Sequence, residues 1–310
     1  KKGDFMKGTK FILSPEFQPF SLNNTIFGIK RTRRIMKGNI VFVGIPFDLG
    51  TTYRSGARFA PFKIREMSRL ISGVDFFLKK NIFENKSIVD YGDIKISNDV
   101  EQDIKNIEFE IKKIMKYGKF IALGGDHLIT LPILRALNKK YGKINLLHLD
   151  AHLDSWDIVN SNKINHGTWL RRAMEENLLS NVFQLGIRGS IYSNKDIKFS
   201  EDNGINIITM RDFKNMGINK TVEKLNNEFL NEKFYITIDI DVVDPAFAPG
   251  TGVPEPGGMS SYEIMEFLRL INLDNLIGGD IVEVSPPYDI MEITSILASY
   301  LIFIMISKTI

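Results

Sequence analysis

Eight short apolar runs constrain the fold of this chain more than any other feature. They are NIVFVGI (39–45), SIVDY (87–91), KFIALGG (119–125), INLLHLD (144–150), VFQLGI (182–187), INIITM (205–210), FYITIDI (234–240) and GGDIVEV (278–284). Most are continuously apolar and do not alternate with polar residues. A strand reads that way when both faces are buried, which is the condition of a parallel sheet. Between the runs lie stretches with helical spacing, as parallel crossovers require. VEQDIKNIEFEIKKIMKYG predicts a helix stopped at Gly118. SSYEIMEFLRLI predicts one capped by Ser260 or Ser261, with Glu263 in its first turn. The run ITSILASYLIFIMI (293–306) is read as a buried helix, too short to cross a bilayer comfortably. The pattern predicts one α/β domain over residues 39–310, with helices on both faces of the sheet. Residues 1–38 are expected to form an extension packed on it.

Composition removes several classes of function. The chain has no cysteine, which excludes disulfides, thiolate metal sites and cysteine nucleophiles, and fits a cytoplasmic location. A net charge of +3 argues against nucleic acid or membrane as partner. The basic cluster KRTRR (30–34) is read as a solvated loop. No secretory signal is read at KKGDFM, and the true N-terminus is left open.

In doubly wound folds, ligands sit beyond the carboxyl ends of the strands. That is where the ionisable residues fall. Gly124-Gly125-Asp126-His127 ends one run, LLHLDAHLDSWD carries Asp150, His152 and Asp154 past another, and Asp239 and Asp241 close a third. Side chains two apart on an extended chain face one way, so Asp-x-His-x-Asp and Asp-x-Asp each aim their groups at one point. With His127 they make six candidate metal ligands, two imidazoles and four carboxylates. Four buried carboxylates repel one another and cost too much without cations; two divalent ions neutralise them. Oxygen-rich donors with imidazole and no thiolate suit Mn²⁺, leaving Ni²⁺, Co²⁺ and Zn²⁺ open. Ion pairs about 3.5–4 Å apart commonly serve hydrolysis. His148 is read as packed support for the ligands. Trp156 and Trp169 are read as channel wall or core. Arg58 and Gly56 are read as a loop at the mouth or an oligomer contact, and Asp93 and Asp244 as turn and supporting groups.

Together GGDH, DAHLD, DIDVVDPAFAPGTGVPEPGG and VEVSPPYD resemble the signatures of the arginase–agmatinase (ureohydrolase) family, in the family's order over roughly residues 39–306. GTTYRSGARFAPFKIRE (50–66) looks like the early segment of agmatinases. The resemblance implies a three-layer αβα fold with a central, mostly parallel sheet. It also implies two Mn²⁺ per subunit and hydrolysis of a guanidino group to urea and an amine. Carried over by position, His127, Asp150, Asp154 and Asp239 would hold one ion. Asp150, His152, Asp239 and Asp241 would hold the other, with Asp150 and Asp239 bridging. His166, in INHGTW, would pass a proton to the leaving amine. Glu283 would accept hydrogen bonds from the guanidinium, and Asp154 would also orient the attacking hydroxide. A homo-oligomer, trimer or hexamer, is implied as well.

The partner is thus expected to be a small cationic guanidino compound. Arginases read the α-carboxylate and α-amine of arginine through a small polar segment. NKINHG (162–167) does not match it, since Ile164 stands where the asparagine would be. Agmatine, giving putrescine and urea, is the leading substrate. Guanidinobutyrate, guanidinopropionate and guanidine are the alternatives. A binuclear phosphoesterase also uses Asp/His clusters but would bring more than four histidines. A non-catalytic binding protein on the same scaffold is the remaining alternative.

Overall fold

The computed structural model describes residues 24–84, 87–159, 161–191, 193–229 and 232–309. The strands are β1 (Ile40–Gly44), β2 (Ile88–Asp93), β3 (Phe120–Leu123), β4 (Ile144–Leu149), β5 (Leu179–Ile187), β6 (Asn206–Thr209), β7 (Phe234–Asp239) and β8 (Leu276–Val282). All eight apolar runs therefore form strands. They make one sheet in the order β2-β1-β3-β8-β7-β4-β5-β6. Every neighbouring pair is parallel.

The helices are α1 (Ala60–Ser68), α2 (Val100–Ile114), α3 (Thr130–Tyr141), α4 (Trp169–Glu175), α5 (Asn194–Asp202), α6 (Met210–Phe229), α7 (Ser261–Leu270) and α8 (Ile293–Thr309). Strand periodicity splits the core in two. Phe42, Ile121, Leu147 and Leu149 pack with α1, α6, α7 and α8. Val41, Val43, Ala122 and Leu146 pack with α2, α3 and α4 on the other face. Helices thus cover both faces, giving three αβα layers.

Helix starts follow the sequence. Ser260 caps α7 in a full capping box with Glu263. The end of α2 does not: the helix closes at Met115, not Gly118. Gly118 is needed for a different reason. A Cβ there would lie 1.8 Å from the Asn39 carbonyl oxygen. Gly118→Ala is accordingly expected to lower stability by about 1–3 kcal/mol, the usual cost of overpacking, with no change in metal binding. Urea unfolding checks the first expectation and a metal titration the second.

The C-terminal run forms the buried helix expected of it, though not for reasons of length. With its preceding turn it spans Ile290–Thr309, long and apolar enough to cross a membrane, so length does not decide its role. Burial does: 67% of the apolar window is covered by the fold. α8 docks on α1, where Ser299 Oγ donates to the Ile64 carbonyl at 3.0 Å.

Of the expected extension, residues 1–23 lie outside the described residues. Within residues 24–38, Ile26, Phe27 and Ile29 are buried against the fold. The Ile26 amide donates to Asp90 Oδ2 at 3.0 Å and the Phe27 amide to Ser68 Oγ at 2.8 Å. The Phe27 ring meets Phe42 and Phe303 edge-on.

Candidate active site

Four adjacent central strands, β3, β8, β7 and β4, bring the candidate residues to one place. His127 opens a short turn after β3, and Glu283 follows β8 directly. Asp239 ends β7, with Asp241 in the turn beyond. Asp150, His152 and Asp154 follow β4. The chain has only four histidines, and all of them, His127, His148, His152 and His166, converge here.

The pleat does not do the converging that two-residue spacing suggested. β4 ends at Leu149, before the first aspartate. Tight turns aim the ligands instead. The His152 amide donates to Asp150 Oδ1 at 2.6 Å, and the Asp241 amide to Asp239 Oδ1 at 2.8 Å. Asp154 sits at φ 49° and Glu283 at φ 61°, in the left-handed region that side chains avoid. Such backbone costs free energy and persists where the surroundings enforce it. At Glu283 its own amide is tied to the Gly125 carbonyl at 2.9 Å.

The centre of the cluster is His127 Nδ1. It lies 3.2 Å from Asp150 Oδ2, 3.1 Å from Asp154 Oδ2 and 3.2 Å from Asp239 Oδ2. Yet this buried nitrogen has no well-aligned hydrogen bond. A buried polar nitrogen ringed by three carboxylate oxygens without an aligned hydrogen bond is suited to holding a cation. A second group stands alongside: His152 Nδ1 is 2.9 Å from Asp241 Oδ2 and 3.4 Å from Asp150 Oδ1. Imidazole nitrogen and carboxylate oxygen, with no sulfur, fit divalent first-row ions.

Electrostatics agree. Burial pushes Asp239 well up, and the neighbouring Asp241 and Asp150 push it further. Burial opposes charge on His152, but Asp241 and Asp150 overcome it and raise its pKa to about 12. Burial likewise opposes charge on His127, and its three carboxylates still raise it well above the usual range. Left to the protein's own groups, the site takes up protons to supply positive charge, which metal ions would displace on binding.

His148 belongs to this cluster by distance but is a supporting group by tautomer. Gln184 Nε2 donates to the Leu153 carbonyl at 2.9 Å and faces His148 Nδ1 at 3.0 Å. That leaves the His148 proton on Nε2, 2.7 Å from Asp150 Oδ2. Trp169 is buried and is no channel wall; its indole N–H donates to Asp154 Oδ2 at 2.6 Å. Trp156 does line the cavity and packs on Gly167.

That cavity, about 160 Å³, is lined by Thr52, Tyr53, Trp156 and Val253 above the ligands, with His166 and Glu283 on its wall. Glu283 Oε1 accepts from the His127 amide at 2.8 Å and from His166 Nδ1 at 2.9 Å. Burial favours the protonated acid, but His166 outweighs it and holds Glu283 below the usual range. On His166, burial opposes charge, and Glu283 overcomes it, raising the pKa to about 9.

Thr52, which sequence reasoning passed over, completes the unit. Its amide lies 3.1 Å and its hydroxyl 2.7 Å from His166 Nε2. A neutral ring accepts from the amide; a protonated ring donates to the hydroxyl. His166 therefore has a partner in both states. Asp126, also unassigned from sequence, accepts from the Gly50 and Leu128 amides at 2.7 and 3.0 Å and anchors the loop bearing Thr52. Arg58 pairs with Asp48 and shapes that loop's base. Asp93 pairs with Arg65, and Asp244 accepts from the Ala246, Gly257 and Gly258 amides as a turn group.

The comparisons accord with this geometry. A family model described as the arginase family matches residues 38–307. A guanidinobutyrase of Pseudomonas aeruginosa is 40% identical over 269 residues, 86% of this chain and 84% of that protein. A mitochondrial agmatinase of Gallus gallus is 36% identical, over 86% of this chain and 79% of that one. The structure of proclavaminate amidino hydrolase from Streptomyces clavuligerus superposes with a TM-score of 0.88 at 34% identity, covering 94% of this chain and 98% of the other. The chain belongs to the arginase family.

Proposed function

We propose that this protein hydrolyses the guanidinium group of a small linear guanidino compound, releasing urea and an amine. As an arginase-family member it is a hydrolase of guanidino or amidino C–N bonds. The observation that carries the reading is His127 Nδ1, ringed by three carboxylates without an aligned hydrogen bond, beneath a cavity walled by His166 and Glu283. His127, Asp150, Asp154 and Asp239 would hold one divalent ion, and Asp150, His152, Asp239 and Asp241 a second. When bound, the ions would supply Lewis acidity and cancel the carboxylate charge. The donor set favours Mn²⁺, with Ni²⁺ or Co²⁺ as alternatives.

The chain's own groups do the rest. Glu283 spends Oε1 on His127 and His166, so Oε2 is the oxygen left for a planar cation. His166 holds a proton at Nε2, against Thr52, and delivers it to the leaving amine. Trp156 and Tyr53 supply aromatic lining to the cavity.

Two substrate readings compete. The motif spellings favour agmatine, whose far end is an ammonium. The charge at the rim favours a guanidino acid. Apart from Glu283 and the three ligand aspartates Asp154, Asp239 and Asp241, no carboxylate among the described residues lines the cavity to greet a second cation. Arg54, next to the lining residue Tyr53, packs its guanidinium 5.1 Å from the Tyr53 ring and 5.2 Å from the Tyr288 ring. A urea-release screen over agmatine, arginine, guanidinobutyrate, guanidinopropionate and guanidine, with Mn²⁺ and Ni²⁺ supplied separately, tests both. If Arg54 reads a carboxylate, Arg54→Ala raises KM about 10-fold or more for the acids, the scale of a charge-assisted bond, and leaves agmatine unaffected. Turnover of agmatine alone sinks the acid reading, and no urea from any guanidino compound sinks the proposed function.

A further inference from the structure

One chain of buried hydrogen bonds takes no part in the steps above. Asp280 lies in the middle of β8, fully buried, between Ala122 of β3 and Thr237 of β7. A carboxylate in the centre of a parallel sheet is costly unless every lone pair is used. Here three hydroxyls serve it. Thr130 Oγ1 and Tyr235 OH reach Oδ2 at 2.9 and 2.8 Å, and Thr237 Oγ1 reaches Oδ1 at 2.5 Å. Thr237 Oγ1 is also 2.8 Å from His127 Nε2.

A threonine hydroxyl has one proton to give. Thr237 gives it to Asp280, so its oxygen faces His127 as an acceptor. In the neutral ring that a metal ion would require, the His127 proton must then stand on Nε2. That leaves Nδ1, the nitrogen among Asp150, Asp154 and Asp239, with a free lone pair. We propose that Asp280 and Thr237 are positioning residues that fix the His127 ring with its proton on Nε2, and so set the affinity of the ion held at Nδ1. The inference rests on reading His127 as a metal ligand.

Reversal of the chain shows what the pair prevents. A protonated Asp280 would donate to Thr237, whose hydroxyl would turn and donate to Nε2. The ring proton would move to Nδ1 and block the ion. Asp280→Asn mimics that state. Its carbonyl stays with Tyr235 and Thr130, and its NH₂ faces Thr237. Thr237→Val removes the acceptor while keeping the side-chain shape.

The test is Mn²⁺ titration calorimetry on the purified, metal-stripped chain and its variants. Wild type is expected to take two ions. Thr237→Val and Asp280→Asn should each weaken binding of one ion by ~10–100-fold, the usual effect of losing a partner behind a ligand. Thr237→Ser, which keeps the hydroxyl, should restore wild-type affinity. Unchanged affinity in either weakened variant overturns the proposal. So does failure of Thr237→Ser to restore it, which would mark a packing effect. A wild type that binds no Mn²⁺ overturns the metal-site reading itself, and the proposal with it.

Discussion

Asp150→Asn and Asp239→Asn are each expected to abolish urea production and lower the metal content of the purified protein. Asp150 sits where two sets of contacts cross. Its Oδ2 is 2.7 Å from His148 Nε2 and 3.2 Å from His127 Nδ1, and its Oδ1 takes the His152 amide at 2.6 Å. An amide there removes one negative charge and turns a donor group on its neighbours. Turnover should fall by more than the ~10²–10⁴-fold that a lost acid–base group costs, because the loss extends to both ions that Asp150 and Asp239 are proposed to bridge. Stability should move the other way at Asp239. Its carboxylate is pushed well above the usual range by burial and by Asp241 and Asp150, so the neutral amide relieves strain in the metal-stripped protein. Such opposition of stability and activity is expected at functional sites. Elemental analysis, urea release and melting of the stripped protein give the three readings. Full activity with two bound ions would sink the bridging proposal.

His166→Ala should behave differently. Metal content stays at the wild-type level, while kcat falls by ~10²–10⁴-fold. The pH profile carries the finer signature. As the acid, His166 works in its protonated form, so wild-type activity should fall as pH rises through its pKa. Burial opposes that charge and Glu283 restores it, placing the pKa at about 9. Bound cations nearby would draw the fall to lower pH. In His166→Ala this alkaline fall should disappear, leaving a flat, slow rate. An alanine variant with an unchanged rate and the same alkaline fall would remove His166 from proton transfer.

The strands were legible because burial on both faces leaves a continuous apolar run, and each of the eight runs became a strand. Their ends were less so. The third run was read through Gly125, but β3 stops at Leu123. Gly124 and Gly125 are there for close approach; a Cβ on Gly125 would lie 1.8 Å from the Phe47 carbonyl oxygen. The ligand cluster was visible because ionisable residues at strand ends are conspicuous by type. The means of convergence was not, since turns with left-handed residues leave little mark on spacing. Asp280, Thr237 and Gln184 stayed hidden because each sits inside an otherwise apolar segment. Thr52 stayed hidden because it meets His166 from 114 residues away.

The order of strands has a consequence for how the protein matures. β4 and β7 are neighbours, and they carry Asp150, His152, Asp239 and Asp241. That half of the site exists once these two strands pair. His127 comes from β3, and β8, the last strand in the chain, lies between β3 and β7. It reaches the carboxylates only across β8, late in synthesis and at the high loop-closure cost of distant pairing. An ion at the β4–β7 half would thus have a place before the sheet is whole, while one at His127 would have to wait. Since an ion that binds only the finished sheet stabilises only that state, loading of the proposed ion at His127 would serve as the molecule's own report that folding is complete.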